Sequence, residues 1–292
     1  MENHTKLSIQ VSLNGLSFCI LNTQANEVIQ TESQVFAKQL TPYAVLERLK
    51  ALFLEHKIGQ KRFSEVVAVH RNNLFGLVPQ LFFNADELAN YLKFNTKLLS
   101  TDHITYDELK KDGLVNVYVP FVNINNYIYD LFGAFTFKHH GTVMIESLLG
   151  RPVQPDNRQV QVSGRQNAVS DGTGRSEELK SKGKEPVCYV YVCERKIDVT
   201  VVVQNKLLLY NNFSFVTKED FLYYLLFTLE QLKLDASTVS VKLFGDIEED
   251  DDIYELCYRY IPHVGIFAPS AMEHPLTHGH DEPIDFTVLN AL

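Results

Sequence analysis

The sequence predicts an α/β protein of two lobes made from duplicated βββαβ units, on three observations. Apolar residues alternate with period two at the start of the chain, and the same alternation recurs from Val187. Each alternating stretch passes, through turns at similar intervals, into a helical stripe capped by a threonine, Thr41 in one half and Thr217 in the other. A short apolar run follows each helix, Val66-Val67-Ala68-Val69 and then Val239, Val241, Leu243 and Phe244. The chain of 292 residues is long enough for two cores, since domains usually hold about 100 to 200 residues.

In the first half, Leu7, Ile9 and Val11 face one way and Ser8, Gln10 and Ser12 the other, and Asn14-Gly15 supplies what a tight hairpin turn needs. Leu16, Phe18 and Ile20 mark the return strand, and a third strand begins at Glu27-Val28-Ile29. At Thr41-Pro42 the period becomes helical: a capping threonine, a proline at the first helical position, then Val45, Leu46, Leu49, Leu52 and Phe53 on one stripe. Gly59 is expected to end that helix. Residues 84–150 read as a folded insertion in the first lobe. There Asn84 and Glu87 form a capping box ahead of Leu88 and Leu92, and Val115, Val117 and Val119 alternate. Asn123 is placed to cap a helix carrying Tyr127, Ile128 and Leu131, and Thr142 to Leu149 makes a last short helix.

The second half repeats the order. Cys188, Val190 and Val192 lead to a turn at Glu194-Arg195-Lys196, the return strand carries Ile197, Val199, Val201 and Val203, and Leu207-Leu208-Leu209 opens a third strand. Thr217 caps the helix with Asp220 at the capping-box position, and Phe221, Leu222, Leu225, Leu229 and Leu232 supply its stripe. Between the halves the composition turns to Gln, Asn, Ser, Gly, Arg and Lys, with few aliphatic groups to offset the entropy of ordering. The expected division is therefore a first lobe at 1–150, a flexible polar linker at 151–186 and a second lobe at 187–292.

Hydrophobic residues at 45% and charged residues at 22% describe an ordinary globular chain, with 19 Phe and 14 Tyr to fill its cores. A net charge of −9 without a local basic cluster disfavours nucleic acid. Neither a membrane-length apolar run nor a signal peptide is seen, so a cytoplasmic location without membrane insertion is expected. Cys19, Cys188, Cys193 and Cys257 all lie in apolar runs and read as reduced core thiols.

Three polar clusters invite chemistry. The run Glu248-Glu249-Asp250-Asp251-Asp252 offers oxygen ligands but lacks the alternation and glycine of a calcium loop, and a helix begins beside it at Ile253-Tyr254. Favourable helix-end electrostatics is the simpler reading. His274, His278 and His280, with Asp281 and Glu282, are ligand types zinc accepts, yet no cysteine stands nearby; an exposed loop before a final strand, Phe286-Thr287-Val288-Leu289, is the expectation, and no metal site is assigned. His139-His140 reads as a polar patch at the end of an aromatic strand. No P-loop, nucleophile elbow, dinucleotide fingerprint or His-Glu-x-x-His occurs, so no catalytic residue is assigned.

The duplicated plan resembles the actin, sugar kinase and heat-shock-70 superfamily, which implies an actin-like ATPase (ribonuclease H-like) architecture. Particular stretches are similar to a bacterial family, domain-of-unknown-function family 3822: Leu7-Ser8-Ile9-Gln10-Val11-Ser12, Leu77-Val78-Pro79-Gln80-Leu81-Phe82, Leu209-Tyr210-Asn211-Asn212-Phe213 with Thr217-Lys218-Glu219-Asp220-Phe221, and Leu243-Phe244-Gly245-Asp246-Ile247. The superfamily resemblance implies ATP and Mg²⁺ in a cleft between lobes, gripped by one hairpin from each and by a glycine-rich turn. At those places stand Ser12, Asn14 and Gly15, then Glu194, Arg195 and Lys196, then Gly245 and Asp246. The first hairpin has no Asp, the second no Gly, and the third turn one glycine where two are typical. Arg195 and Lys196 are anion partners by chemistry, and a solvated hairpin tip is the simpler reading. The nucleotide motifs are thus degenerate: no cofactor is assigned, and ATP with Mg²⁺ is disfavoured. The leading expectation is a non-catalytic binding or scaffold protein with a protein partner. The alternatives are an ATP-dependent phosphotransferase or ATPase with atypical loops, and a metal-dependent hydrolase using the C-terminal histidines.

Overall fold

In a computed structural model, the described residues are 4–149, 185–193, 195–267 and 285–292. The opening alternation becomes a meander of β1 (Thr5–Ser12), β2 (Gly15–Asn22) and β3 (Glu27–Val35), followed by the crossover helix α1 (Pro42–Glu55) and by β4 (Glu65–Arg71). Next come β5 (Phe75–Pro79), α2 (Leu88–Leu92), β6 (Thr105–Leu109) and β7 (Leu114–Tyr118), then α3 (Val122–Phe132), β8 (Thr136–His139) and α4 (His140–Leu149). The second half contains β9 (Val187–Cys193), β10 (Lys196–Val203), β11 (Lys206–Ser214), α5 (Lys218–Gln231), β12 (Ser240–Gly245), α6 (Asp252–Tyr260), β13 (Val264–Ile266) and α7 (Phe286–Asn290).

Two five-stranded sheets result, ordered β3-β2-β1-β4-β8 and β11-β10-β9-β12-β13. Their pairing is the same: a three-stranded antiparallel meander, then two strands parallel to the first. In each, a Thr-capped helix joins the third strand to the fourth, as parallel pairing requires a crossover. β5, β7 and β6 form a separate small antiparallel sheet inserted in the first half.

The apolar side of β1 meets α1 and α3, so that Leu7, Ile9 and Val11 are buried among Val45, Leu49, Phe53, Ile124 and Ile128. Its counterpart packs Cys188, Val190 and Val192 against Phe221, Leu225, Leu229 and Cys257. A third core forms where Met144, Ile145 and Leu148 of α4 meet Tyr189, Tyr191, Phe244 and Phe286. Each such side chain contributes about 1.5 to 3 kcal/mol on burial. All four cysteines are free and buried, as their apolar settings predict.

Several local expectations are corrected. The chain leaves α1 through Lys57, which takes a left-handed φ of 54°, while Gly59 lies within the single 3-10 turn that follows. Asn84 caps a 3-10 turn by accepting the Asp86 N–H, without the Glu87 half of a capping box. Phe121 occupies the N-cap of α3, and Asn123, the second residue of the helix, donates instead to the Pro42 carbonyl. His139 does end a strand, β8, and His140 opens α4, but both are fully buried.

Phe286 to Leu289 form a helix, not a strand. Asp285 caps it by accepting the N–H groups of Thr287 and Val288, and a four-residue apolar run has no periodicity to separate helix from strand. β1 is already paired on both sides, so this segment lies on its face instead of joining its edge. There Ser8 donates to the Val288 carbonyl and Gln10 donates to Asp285 at 2.6 Å, which covers the polar side of β1. The acidic run ends at α6, where Asp252 pairs with Lys218 at 2.9 Å. Most of the expected linker, together with His274, His278, His280, Asp281, Glu282 and Glu194, falls outside the described residues. Among the described residues no helix is long and apolar enough to cross a membrane.

Candidate functional site

The first hairpin turns through Ser12, Leu13, Asn14 and Gly15. Ser12 is buried at the end of β1, and its Oγ accepts the N–H groups of Asn14 at 3.0 Å and Gly15 at 2.8 Å. A serine hydroxyl that closes its own turn in this way takes the place of an external acceptor. The tip is tied to the end of β3 as well, because the Asn14 carbonyl accepts the Phe36 N–H at 2.7 Å.

In the second hairpin Cys193 stands opposite Lys196. Arg195 takes a left-handed φ of 61°, a backbone state uncommon for a side-chain-bearing residue. Its carbonyl accepts the Phe215 N–H at 3.0 Å, the counterpart of the Phe36 bond at the first hairpin. The structure brings Gly245 and Asp246 against this hairpin. Asp246 N–H donates to the Val192 carbonyl at 2.8 Å, and Gly245 has φ of +91°. A Cβ at Gly245 would stand 2.2 Å from that same carbonyl, so glycine is needed for contact within the second sheet.

A buried polar cluster lies elsewhere, around Arg71 and Asp198. Arg71 ends β4 of the first sheet, and its guanidinium donates to Asp198 of β10 in the second sheet at 2.8 Å, with both side chains buried. The other carboxylate oxygen of Asp198 lies 3.0 Å from His140 Nε2 and accepts the Tyr210 hydroxyl at 3.2 Å. The Arg71 guanidinium also stands over the Tyr191 ring, 5.3 Å from its centroid. Burial alone would push the Asp198 pKa up, but His140 and Arg71 outweigh it and hold the group at about 2. Desolvation pushes the His140 pKa below its ordinary range, against the upward pull of Asp198. Its Nδ1 has no hydrogen-bond partner among the described residues.

A second layer continues into the small sheet. His139 Nε2 lies 3.1 Å from the Asn72 carbonyl, while its Nδ1 accepts the Gly141 N–H at 3.1 Å, which sets a neutral imidazole. Desolvation, reinforced by the neighbouring His140, lowers its pKa well below the usual value. Asp107 of β6 accepts from the Thr142 hydroxyl, the His139 N–H and the Tyr118 hydroxyl, and burial still raises it to about 6. Two signals in the sequence point to the cluster: Arg71 two residues past the apolar run that ends at Val69, and Asp198 inside the strand Ile197 to Val203. A charge in a buried strand is seldom without a partner. Chemically, Asp198 is an ionised acceptor whose oxygens are engaged by three donor side chains, and so is poorly suited to act as a base.

The architecture is that of the actin-like ATPases. A Bacteroides thetaiotaomicron protein with an actin-like ATPase fold and unknown function is similar over 91% of each chain, at 20% identity and a TM-score of 0.68. The PilM-PilN type IV pilus biogenesis complex contains a chain similar over 93% of this one and 90% of its own, at 10% identity and a TM-score of 0.55. No curated protein matches the sequence at a significant level. The family model described as "Protein of unknown function (DUF3822)" matches residues 1–170 and 174–264, and the chain belongs to that family.

Proposed function

We propose that this protein is a non-catalytic binding or scaffold protein that keeps the actin-like architecture without nucleotide chemistry. The observation that carries this reading is the first hairpin, where Ser12 Oγ takes the N–H groups of Asn14 and Gly15. Backbone N–H groups at such a turn are what a phosphate needs, and here they are satisfied internally. Gly245, packed onto the Val192 carbonyl, supports the same reading at the third turn, and the Asp198 carboxylate is neutralised by Arg71 instead of standing ready for a metal.

A protein is the partner class this reading favours. The likeness in fold to the PilM-PilN complex supports it, and a net charge of −9 disfavours nucleic acid. Buried free thiols suit a reducing cytoplasm. The division into a lobe at 1–150, a linker at 151–186 and a lobe at 187–292 belongs to the same proposal, with α7 returning across the first sheet.

Titration calorimetry of the full chain with ATP and Mg²⁺, alongside phosphate release, tests the reading. Neither binding heat nor turnover is expected. A micromolar Kd with hydrolysis that is lost in Asn14→Ala would overturn it and install an ATPase or phosphotransferase in its place. Capture of partners from native cells, identified by mass spectrometry, then defines what is bound.

A further inference from the structure

We propose that Arg71 and Asp198 form a latch that holds the two lobes closed with the chain's own charges, and that the lobes part when the pair is broken. The proposal goes beyond the binding or scaffold reading, because the latch acts whether or not the hairpins meet a nucleotide.

The geometry of the junction carries it. Arg71 belongs to the first sheet and Asp198 to the second, and their 2.8 Å contact is a buried ion pair that crosses from one lobe to the other. The rest of the cluster crosses too. His140 at the start of α4 reaches Asp198 at 3.0 Å, Tyr210 of β11 lies 3.0 Å from His140, and Asn212 of β11 donates to the Asn72 carbonyl at 3.4 Å. Gly141 permits this approach: a Cβ there would stand 2.6 Å from the Tyr210 ring. Around these groups lies an apolar core shared by α4, β9 and Phe286.

Such a pair has two good states. Closed, each charge has its partner and the donors around Asp198 complete its hydrogen bonding. Open, both charges are hydrated. A closed junction with only one charge is the poor state, since an unpaired buried ion keeps its desolvation penalty and loses the attraction that offset it. A change of one partner therefore drives the junction open, while removal of both charges together leaves it free to stay closed. The closing contact is a guanidinium held between a carboxylate and the Tyr191 face.

Hydrogen exchange followed by mass spectrometry on the full chain tests this, with Asp198→Asn, Arg71→Met, the double variant Arg71→Met/Asp198→Asn, and the milder Tyr210→Phe. Asp198→Asn and Arg71→Met are expected to speed exchange on the order of a hundredfold at the end of β4, the start of α4 and the β10–β11 hairpin, while β1, β9 and β12 stay protected. Tyr210→Phe should raise the same peptides by a smaller factor, and the double variant should return toward the parent. If Asp198→Asn does not fold, Tyr210→Phe and the double variant give the same answer. Unchanged exchange at the junction, a uniform rise through both sheets, or a double variant as open as the single ones would each overturn the latch.

Discussion

His70 ties the stability of the fold to pH in a way that can be worked out from its bonds. It lies fully buried in β4, its Nδ1 accepts the Phe121 N–H at 3.2 Å, and its Nε2 lies 2.8 Å from Asn125 Oδ1. An acceptor role for Nδ1 requires the neutral ring, and protonation would turn that nitrogen into a donor facing a donor. Burial lowers the pKa from 6.5 to about 4, against a smaller upward pull from Asn125. A depressed value means the unfolded chain binds the proton more readily. The stabilisation is therefore present above pH 6.5 and is lost as pH falls through 4. With about 1.4 kcal/mol per unit, the loss reaches about 2 kcal/mol between pH 7 and 5 and about 3 kcal/mol at pH 4, the former a fall of roughly 3 °C in Tm. Asp107 works the other way, since its raised value of about 6 stabilises the fold at low pH and ceases to do so as pH rises through 6. The clean assay is a comparison of slopes: urea unfolding of the parent and of His70→Gln across pH 4 to 7. The variant is expected to be less stable at pH 7, yet to lose about 3 kcal/mol less on acidification. Parallel stability curves would refute the account of His70 as a buried neutral acceptor.

Other outcomes follow from single contacts. Gly245→Ala combines a positive φ with a Cβ 2.2 Å from the Val192 carbonyl, and should cost about 2 kcal/mol or more in denaturant unfolding; a neutral result would show that the turn can move away from β9. Thr217→Ala removes one half of the capping box on α5 and should cost about 1 kcal/mol with an unchanged urea m-value. Cys19, Cys188 and Cys257 are buried, and desolvation pushes their thiols up to about 12, so labelling by an aromatic disulfide reagent should track global unfolding. Rapid labelling of any of the three in the native protein would contradict their burial.

The sequence by itself determined the paired meanders, the two Thr-capped crossover helices and the buried fourth strands, because each rests on a local signal. Period-two alternation, Asn14-Gly15, Thr41-Pro42 and the Thr217/Asp220 box all act within a few residues. It also located the hairpins and the Gly245 turn, and the resemblance it carries named the fold that the structure bears out. Where a local signal was weak, the reading failed. Phe286 to Leu289 is a helix because Asp285 caps it and because β1 has no free edge, which is a fact about strands far away in the chain. The junction belongs wholly to tertiary structure. Arg71 and Asp198 are 127 residues apart, and Gln10 meets Asp285 across 275. No periodicity encodes such a pairing, since what selects it is the high cost of a buried charge without a partner, and that cost arises only once two sheets have closed on each other.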